Sequence, residues 1–197
     1  MPRGADYVPI YRRRREGKTN YHRRRVVVAS RKPFITVFVS NRNVSAQLHV
    51  ARKSGDEVIA QANSRELIGH GWSASRKSTP AAYLVGYLLG LRALKAGVSE
   101  AVLYTGVRSF VPGSRVAAVV AGARDAGLNV AASEEVLPDQ SRLRGEHIAE
   151  YARSLRESDP DLYARRFSGY ARAGFDPSDY PRLVEDVKAK LREAVAG

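Results

Sequence analysis

Apolar and polar residues alternate in three neighbouring stretches of the chain, beginning at Phe34. In the first stretch, Ile35, Val37 and Val39 alternate with residues of mixed polarity, and a period of two residues is typical of a half-buried β-strand. Short polar segments of the kind found in turns separate the stretches. The pattern predicts an antiparallel meander with one apolar face and one mixed face, formed by strands over 34–39, 44–50 and 57–62.

A helical periodicity follows the meander. Thr79 as N-cap and Pro80 at the first helical position predict the start of a long helix, which we expect to end at Gly97. A second helix is predicted over 115–126, where Gly127 ends it. The segment over 73–78 between the meander and the first helix is polar and basic, so we expect an exposed loop there.

Each predicted helix leads through Ala-Gly into a short apolar strand, over 101–104 and 128–131. Helices that connect strands in this way form right-handed crossovers between parallel strands. We therefore predict an α/β fold with a mixed sheet, in which the meander is extended by two βα-type crossovers and helices pack on a face. The Gly86-x-x-x-Gly90 spacing in the first helix is expected to allow close packing against the sheet rather than against another helix.

The chain changes character after residue 132. Helices are predicted over 145–156, 161–170 and 183–195, and the last has a single apolar stripe that could dock on the body or on a partner. The predicted organisation is a basic extended N-terminal arm over 1–32, a mixed α/β body over 33–132 and a helical C-terminal extension over 133–197.

Charge is concentrated at the N-terminal end. The chain carries 33 Lys/Arg and 20 Asp/Glu, a net charge of +13, and residues 1–32 contribute eleven Lys/Arg and two acids. Eight of these cations lie between Tyr11 and Arg25, where Glu16 is the one acid. Such a segment gains free energy by binding a polyanion and releasing its counterions. A near-neutral body with this arm is the charge pattern of a nucleic-acid binder.

No constellation for catalysis is found in the sequence. The chain has no cysteine, its histidines (His22, His49, His70 and His147) lack metal-ligand spacing, and the phosphate-loop and dinucleotide motifs do not occur. We therefore expect no enzyme activity, no metal and no cofactor. The absence of a signal-peptide pattern or of a long apolar segment leads us to expect a cytoplasmic protein.

Two other functions remain as alternatives. One is another kind of RNA-binding or RNA-processing protein; the acidic site of such an enzyme would use the acids near a predicted strand end, Asp125, Glu134, Glu135 and Asp139. The other is a protein that binds anionic membranes, which is disfavoured because the arm lacks the large apolar face of an interfacial helix.

Aromatic side chains in the arm favour RNA as the partner. Tyr7, Tyr11, Tyr21 and His22 are interleaved with the arginines, and such rings can stack on unpaired bases while guanidinium groups bind phosphate. No recognition-helix or zinc-finger pattern for a DNA major groove is present. We expect the arm to become ordered on RNA. A further candidate is the predicted helix start at Gly113 and Ser114, whose backbone N–H groups could hold a phosphate.

Several motifs together resemble one protein family. They lie over 11–22, 40–47, 78–84 and 112–115, and a further motif over 144–151 resembles the archaeal and eukaryotic branch. The chain resembles the large-subunit ribosomal proteins that bind 5S ribosomal RNA, the family of the bacterial eighteenth and eukaryotic fifth large-subunit proteins.

The resemblance implies a protein without catalytic activity that holds 5S rRNA in the central protuberance of the large subunit. It also implies 23S rRNA and neighbouring ribosomal proteins as partners. By motif match, it implies RNA contacts for residues of the arm, the first hairpin and the second helix start: Arg12, Arg13, Arg14, Arg15, Lys18, Tyr21, His22, Arg23, Arg24, Arg25, Ser40, Asn41, Arg42, Asn43, Gly113, Ser114 and Arg115.

Overall fold

A five-stranded sheet forms the centre of the computed structural model, which describes residues 8–196. The first seven residues of the predicted arm, including Tyr7, lie outside the described residues, as does Gly197. The strands lie side by side in the order β3-β2-β1-β4-β5. They are β1 (Phe34–Val39), β2 (Val44–Ala51), β3 (Asp56–Asn63), β4 (Glu100–Leu103) and β5 (Asn129–Val130).

The strand directions confirm the predicted fold class. β1, β2 and β3 form an antiparallel meander, with Ile35 opposite Leu48 and Leu48 opposite Ala60. β4 then pairs in parallel with β1, and β5 pairs in parallel with β4. The sheet is therefore mixed, as the alternation and the two helix-to-strand segments predicted.

Helices account for most of the remaining described residues. Those that precede and cover the sheet are α1 (Arg12–Arg15), α2 (Tyr21–Ala29), α3 (Thr79–Lys95) and α4 (Arg115–Asp125). Those of the extension are α5 (Gln140–Arg144), α6 (Glu146–Ser158), α7 (Pro160–Arg166), α8 (Ser168–Arg172) and α9 (Tyr180–Ala196). Short 3₁₀ turns lie at Glu66–His70, Glu134–Val136 and Pro177–Asp179.

The long helix α3 is the central element of the core. Its residues from Pro80 to Gly90 are all buried, because α3 packs on β2 and β3, on α4 and on α9. The predicted N-cap was one residue late: the Ser78 side chain accepts a hydrogen bond from the N–H of Ala81 at 3.3 Å, so Ser78 is the N-cap and Thr79 is the first helical residue. Ser78 satisfies a backbone donor that would otherwise be exposed at the helix start.

Two glycines allow α3 and α4 to touch backbone to backbone. A Cβ atom added to Gly86 would lie 2.0 Å from the carbonyl oxygen of Val119, and one added to Gly122 would lie 2.0 Å from that of Tyr83. At Gly90, an added Cβ would lie 2.6 Å from the Cβ of Ala126. The expectation that Gly86 and Gly90 pack against the sheet was therefore wrong. Both glycines instead allow α3 to lie close to α4.

The helical extension docks on the body through α9. Tyr180, Val184, Val187 and Leu191 are buried on one face of α9 and join the main core around α3. Tyr180 is fully buried, and its ring lies edge-on to Trp72 with 5.8 Å between centroids. The apolar stripe of the final helix thus packs on the body of the same chain.

A polar contact accompanies this docking. Lys188 of α9 donates to the hydroxyl of Tyr83 at 2.6 Å, and that hydroxyl donates to Asp125 of α4, also at 2.6 Å. The ammonium group also lies 5.2 Å from the ring centroid of Tyr83 and 4.9 Å from that of Tyr87. The hydrogen-bonded residues Lys188, Tyr83 and Asp125 thus join α9, α3 and α4.

The outer helices of the extension have a small core of their own. Ala152, Leu155 and Phe167 are buried together, and Tyr163 packs against Phe167 with 5.1 Å between ring centroids. Arg156 closes this unit by binding both carboxylate oxygens of Asp176, at 2.9 and 2.7 Å. This Arg156 contact is the main cause that lowers the pKa of Asp176.

Candidate nucleic-acid interface

The arginine run of the arm lies on a short exposed helix. All four side chains of α1, from Arg12 to Arg15, are exposed. Glu16 forms ion pairs with Arg12, at 3.6 Å, and with Lys18, at 2.7 Å. The chain turns after α1 at Gly17, whose φ is +63°, a backbone conformation that residues with a Cβ atom rarely adopt. The run therefore forms a compact cluster of cations, and Glu16 neutralises only one of its charges.

The second cationic segment is a helix rather than an extended strand. The side chain of Asn20 accepts hydrogen bonds from the N–H groups of His22 and Arg23, at 3.1 and 3.2 Å, and so caps α2. The prediction of an extended arm is corrected here, because this cap satisfies the first donors of a helix. Helix α2 has two faces. One face contacts the sheet, and the other is exposed.

Arg23 faces the body and bonds to a loop after β4. Its guanidinium group donates to the hydroxyl of Thr105 and the carbonyl oxygen of Gly106, both at 3.2 Å, and to the carbonyl oxygen of Arg108 at 2.8 Å. Three acceptors on one guanidinium attach α2 to this loop of the body. Although Arg23 was predicted to contact RNA, the structure engages its guanidinium with protein.

Arg24 is a second attachment of the arm. It forms an ion pair with Asp56 and lies over the ring of Phe34, with 5.1 Å from the guanidinium carbon to the ring centroid. Val27, one turn further along α2, is the buried residue of this helix. An arginine that stacks on an aromatic ring and pairs with a carboxylate is well suited to such a contact. Arg24 was also a predicted RNA contact, and the structure places it between α2 and the sheet.

The remaining predicted contacts on α2 lie on its exposed side. Tyr21, His22 and Arg25 are exposed, and the ring of Tyr21 lies 5.0 Å from that of Tyr11. Arg23 and Arg24 thus hold α2 while its other face stays open. Because this anchoring needs no RNA, we restrict the expectation of RNA-dependent ordering to the arm before Asn20.

The first hairpin separates predicted contacts of two kinds. Ser40 and Asn43 close the turn: the Ser40 hydroxyl donates to the carbonyl oxygen of Asn43 and accepts from its N–H, both at 3.0 Å. Asn41 and Arg42 lie between them and are exposed. The structure therefore gives Ser40 and Asn43 a role in shaping the turn, and it leaves the side chains of Asn41 and Arg42 at its tip.

An aromatic surface beside this hairpin was not among the predicted site residues. Phe38 lies on the sheet face opposite α3 and is 55 % exposed. The guanidinium carbon of Arg108 lies 4.6 Å from its ring centroid. The sequence held one sign of this surface: Phe38 lies on the mixed face predicted for β1, and a phenylalanine is unusual on a strand face that is only solvated. The pairing with Arg108 could not be found without the sheet order.

His49 lies on the same face, beneath the arm. Its ring stacks on Phe34 with 5.2 Å between centroids, and Nε2 lies 2.8 Å from the hydroxyl of Thr36. Burial lowers the pKa of His49 below its ordinary value; Asp56 opposes this effect and Arg24 adds to it. The imidazole is therefore neutral near pH 7 and packs as an uncharged ring under the base of α2.

The predicted phosphate site at the start of α4 is only partly open. The N–H of Gly113 donates to the carbonyl oxygen of Val136 at 3.0 Å, so it is not free for a phosphate. The hydroxyl oxygen of Ser114 is buried and has no hydrogen-bond partner among the described residues. Arg115 remains partly exposed. The predicted phosphate site therefore lacks the N–H of Gly113, because the 3₁₀ turn at Glu134–Val136 accepts its hydrogen bond. An RNA contact at Gly113 stays a prediction.

The acids proposed for an alternative enzyme do not form a metal centre. Asp125 accepts from Tyr83, and residues 8–196 contain no group of three or more His, Cys, Asp or Glu that could hold a metal ion. In this same range, no helix is both long and apolar enough to cross a membrane.

Comparison with known proteins places the chain among ribosomal proteins. A family model described as "Ribosomal large subunit proteins 60S L5, and 50S L18" matches residues 6–103. The large ribosomal subunit protein uL18 of Thermofilum pendens is 49 % identical over 99 % of this chain and all of its own length. That of Caldivirga maquilingensis is 48 % identical over 100 % of this chain and 95 % of its own length. That of Aeropyrum pernix is 51 % identical over 98 % and 91 %.

These matches extend well beyond the motifs of the arm and the hairpin. They cover 98–100 % of this chain, so they include the crossover helices and the docked extension, at about half identity overall. Similarity of this extent over the whole length confirms the resemblance seen in the motifs and excludes an enzyme: the chain belongs to the family of large ribosomal subunit protein uL18, structural proteins of the ribosome.

Proposed function

We propose that this ribosomal protein binds 5S rRNA and anchors it in the central protuberance of the large subunit, next to 23S rRNA. One observation carries the proposal: the cationic arm is attached beside an uncovered face of the sheet by Arg23 and Arg24. Phosphate groups would meet α1 and α2 while bases reach the aromatic surface at Phe38. The other expected partners are neighbouring ribosomal proteins of the protuberance. The protein would act in cytoplasmic ribosomes.

The proposed contacts divide into three roles. Phosphate binding falls to the exposed cations of the arm, which are Arg12, Arg13, Arg14, Arg15, Lys18 and Arg25. Base stacking falls to Tyr21, His22 and Phe38, with Arg108 over the Phe38 ring. Asn41 and Arg42 would contact RNA from the hairpin tip, and Arg115 from the start of α4.

The same contacts support a division of labour along the chain. We assign RNA binding to the arm over 1–32, the shape of the RNA-facing surface to the body over 33–132, and protein contacts to the extension over 133–197. The extension contains eleven Lys/Arg and thirteen Asp/Glu, so it has no excess of cations to attract a polyanion.

A salt series tests the proposal. In the variant Arg12→Gln, Arg13→Gln, Arg14→Gln, Arg15→Gln, we expect weaker 5S rRNA binding, and the log–log slope of affinity against salt should decrease in magnitude by about three. The slope decreases because each lost phosphate contact releases fewer counterions. Filter binding between low and moderate salt measures it.

A matched control removes four charges from the extension. Arg165→Gln, Arg166→Gln, Arg172→Gln, Arg182→Gln lies on α7, α8 and α9, where these side chains are exposed. We expect the wild-type slope from this control. Equal slopes for the two fourfold variants would contradict the role of the arm. Equal affinity for 5S rRNA and an unrelated structured RNA of the same length would contradict the choice of 5S rRNA.

A further inference from the structure

Between the arm and the body lies a cavity of about 470 Å³. Arg14 and Thr19 line it from α1 and the following turn, Tyr21 and His22 from the start of α2, and Val107 from the loop after β4. This volume lies within the range of about 300–1,000 Å³ that is usual for small-molecule sites. The cavity is larger than a packing defect and opens next to the cations of the arm.

The walls of the cavity are cross-linked on both sides. Arg23 binds Thr105, Gly106 and Arg108, which flank Val107 and so fix the body wall against α2. On the arm side, Arg13 donates from Nε to the hydroxyl of Thr19 at 2.8 Å. The Arg23 bonds thus attach the body wall to α2, and the Arg13 bond links α1 to the turn that follows it.

Hydrogen-bond donors predominate in the lining. The Asn20 carbonyl oxygen already accepts from His22 and Arg23, so its NH₂ group is left to donate. The Thr19 oxygen accepts from Arg13, which leaves the hydroxyl hydrogen for a ligand. Arg14 adds a guanidinium group, which has donors only. A ligand for this lining must therefore present several acceptors.

Aromatic rings complete the lining. Tyr21 and His22 offer faces on which an unpaired base can stack, and Arg14 can meet a phosphate. Resting on the proposed function, we infer that this cavity binds one unpaired nucleotide of the RNA, with a base that carries a carbonyl oxygen: guanine, uracil or cytosine. Adenine lacks the carbonyl oxygens that this set of donors would bind.

A variant that fills the cavity tests this inference. Val107→Trp adds bulk from the body wall, and since Val107 is 51 % exposed the fold should tolerate the change. We expect 5S rRNA binding to weaken roughly ten-fold, as for the loss of one stacked base. The salt slope should stay at the wild-type value, because no charge is altered. Tyr21→Leu should give the same pair of results.

Nucleotide-resolution probing of the full chain on 5S rRNA identifies the ligand. Base-specific reagents should show one unpaired guanine, uracil or cytosine that the wild-type protein protects and that Val107→Trp exposes. Val111→Trp is the matched control, because Val111 is also exposed and does not line the cavity; it should retain wild-type protection and affinity.

The outcomes separate the cavity from the general function. If Val107→Trp binds with wild-type affinity, or if the protected base is an adenine, the inference about the cavity is wrong while binding of 5S rRNA stands. If the wild-type chain does not bind 5S rRNA in preference to other RNA, the proposed function itself is wrong and the inference falls with it.

Discussion

The arm and the extension flank the same body and are held to it by opposite means. The arm, over 1–32, has eleven Lys/Arg and two acids. Among its described residues, three cations bind the body, Arg23, Arg24 and Lys32, the last through an ion pair with Glu100, and Val27 is buried. The extension, over 133–197, has slightly more acids than cations and packs on α3 through four buried residues of α9. The described part of the arm is attached mainly by cationic side chains, whereas the extension is attached mainly by apolar area.

This difference matches what each region faces. Surface ion pairs and hydrogen bonds are individually weak and easily exchanged, so an arm held by them can adjust to a polyanion. Apolar burial is stronger and insensitive to salt, so α9 belongs to the folding unit of the body. Salt and mutation should therefore separate the two regions: salt should act through the arm and loss of buried area through the extension.

The largest effect is expected from the extension. Tyr180→Ala removes a fully buried ring from the contact with Trp72, and we expect a loss of about 3–5 kcal/mol in the free energy of unfolding. Urea unfolding measures this loss, with Arg182→Ala on the exposed side of α9 as a control that should stay within about 0.5 kcal/mol. A change in the salt slope of RNA binding at temperatures where Tyr180→Ala is folded would break the comparison.

An intermediate effect is expected at the base of the arm. Arg24→Met keeps an unbranched side chain but removes the ion pair with Asp56 and the cation over Phe34; we expect about 1 kcal/mol of lost stability. Backbone amides of α2 should exchange faster with solvent, as hydrogen exchange would show. Arg25→Met is the neighbouring control: it should leave exchange in α2 unchanged and lower the magnitude of the salt slope by about one. The reverse assignment of the two arginines would contradict their separate roles.

The smallest effect is a pH dependence under the arm. Burial lowers the pKa of His49 below its ordinary 6.5, so the folded state binds this proton less readily than the unfolded chain does. The contribution of His49 to stability is therefore complete above pH 6.5 and is lost as the pH falls from 6.5 through the lower folded value. Protonation would also place a charge beside Arg24, although Asp56 on β3 offsets part of this repulsion.

His49→Gln should flatten the decline of the urea midpoint between pH 7 and pH 5. His147→Gln is the counterpart in the extension, where burial and Arg142 lower the pKa of His147. We expect both variants to flatten the decline, and we expect only His49→Gln to alter hydrogen exchange in α2 with pH. Identical pH profiles for wild type and His49→Gln would contradict the packing of a neutral ring beneath the arm.

Local patterns in the sequence were sufficient for the strands and the crossover helices of the body and for their order, but they did not predict the helices α1 and α2 of the arm. Alternation around Ile35 and Leu48 predicted the meander, and the Ala-Gly ends of the two helices predicted the parallel strands. These features are local because turn chemistry and periodicity depend on neighbours in the chain. The missed features involve partners distant in sequence. Gly86 meets Val119 rather than the sheet, and Gly113 has lost its N–H to Val136.

The candidate site shows the same limit. The arginines of the arm were found from composition alone, but composition could not distinguish Arg24, which pairs with Asp56, from Arg25 beside it. That distinction depends on which face of α2 meets the sheet, and it required the position of a strand about thirty residues away. The pairing of Phe38 with Arg108 was missed for the same reason, since β1 and the loop after β4 become neighbours only in the folded sheet.

The packing of α9 on α3 has a consequence for synthesis of the chain. The 84 residues between Lys95 and Tyr180 must be translated before α9 exists to cover its side of α3. At roughly 5–20 residues per second, this leaves part of an apolar helix uncovered on the nascent chain for about 4–17 seconds. During that interval the emerging protein resembles an unfinished interface, and we expect this stage of biogenesis to be the one most sensitive to aggregation and most dependent on a chaperone.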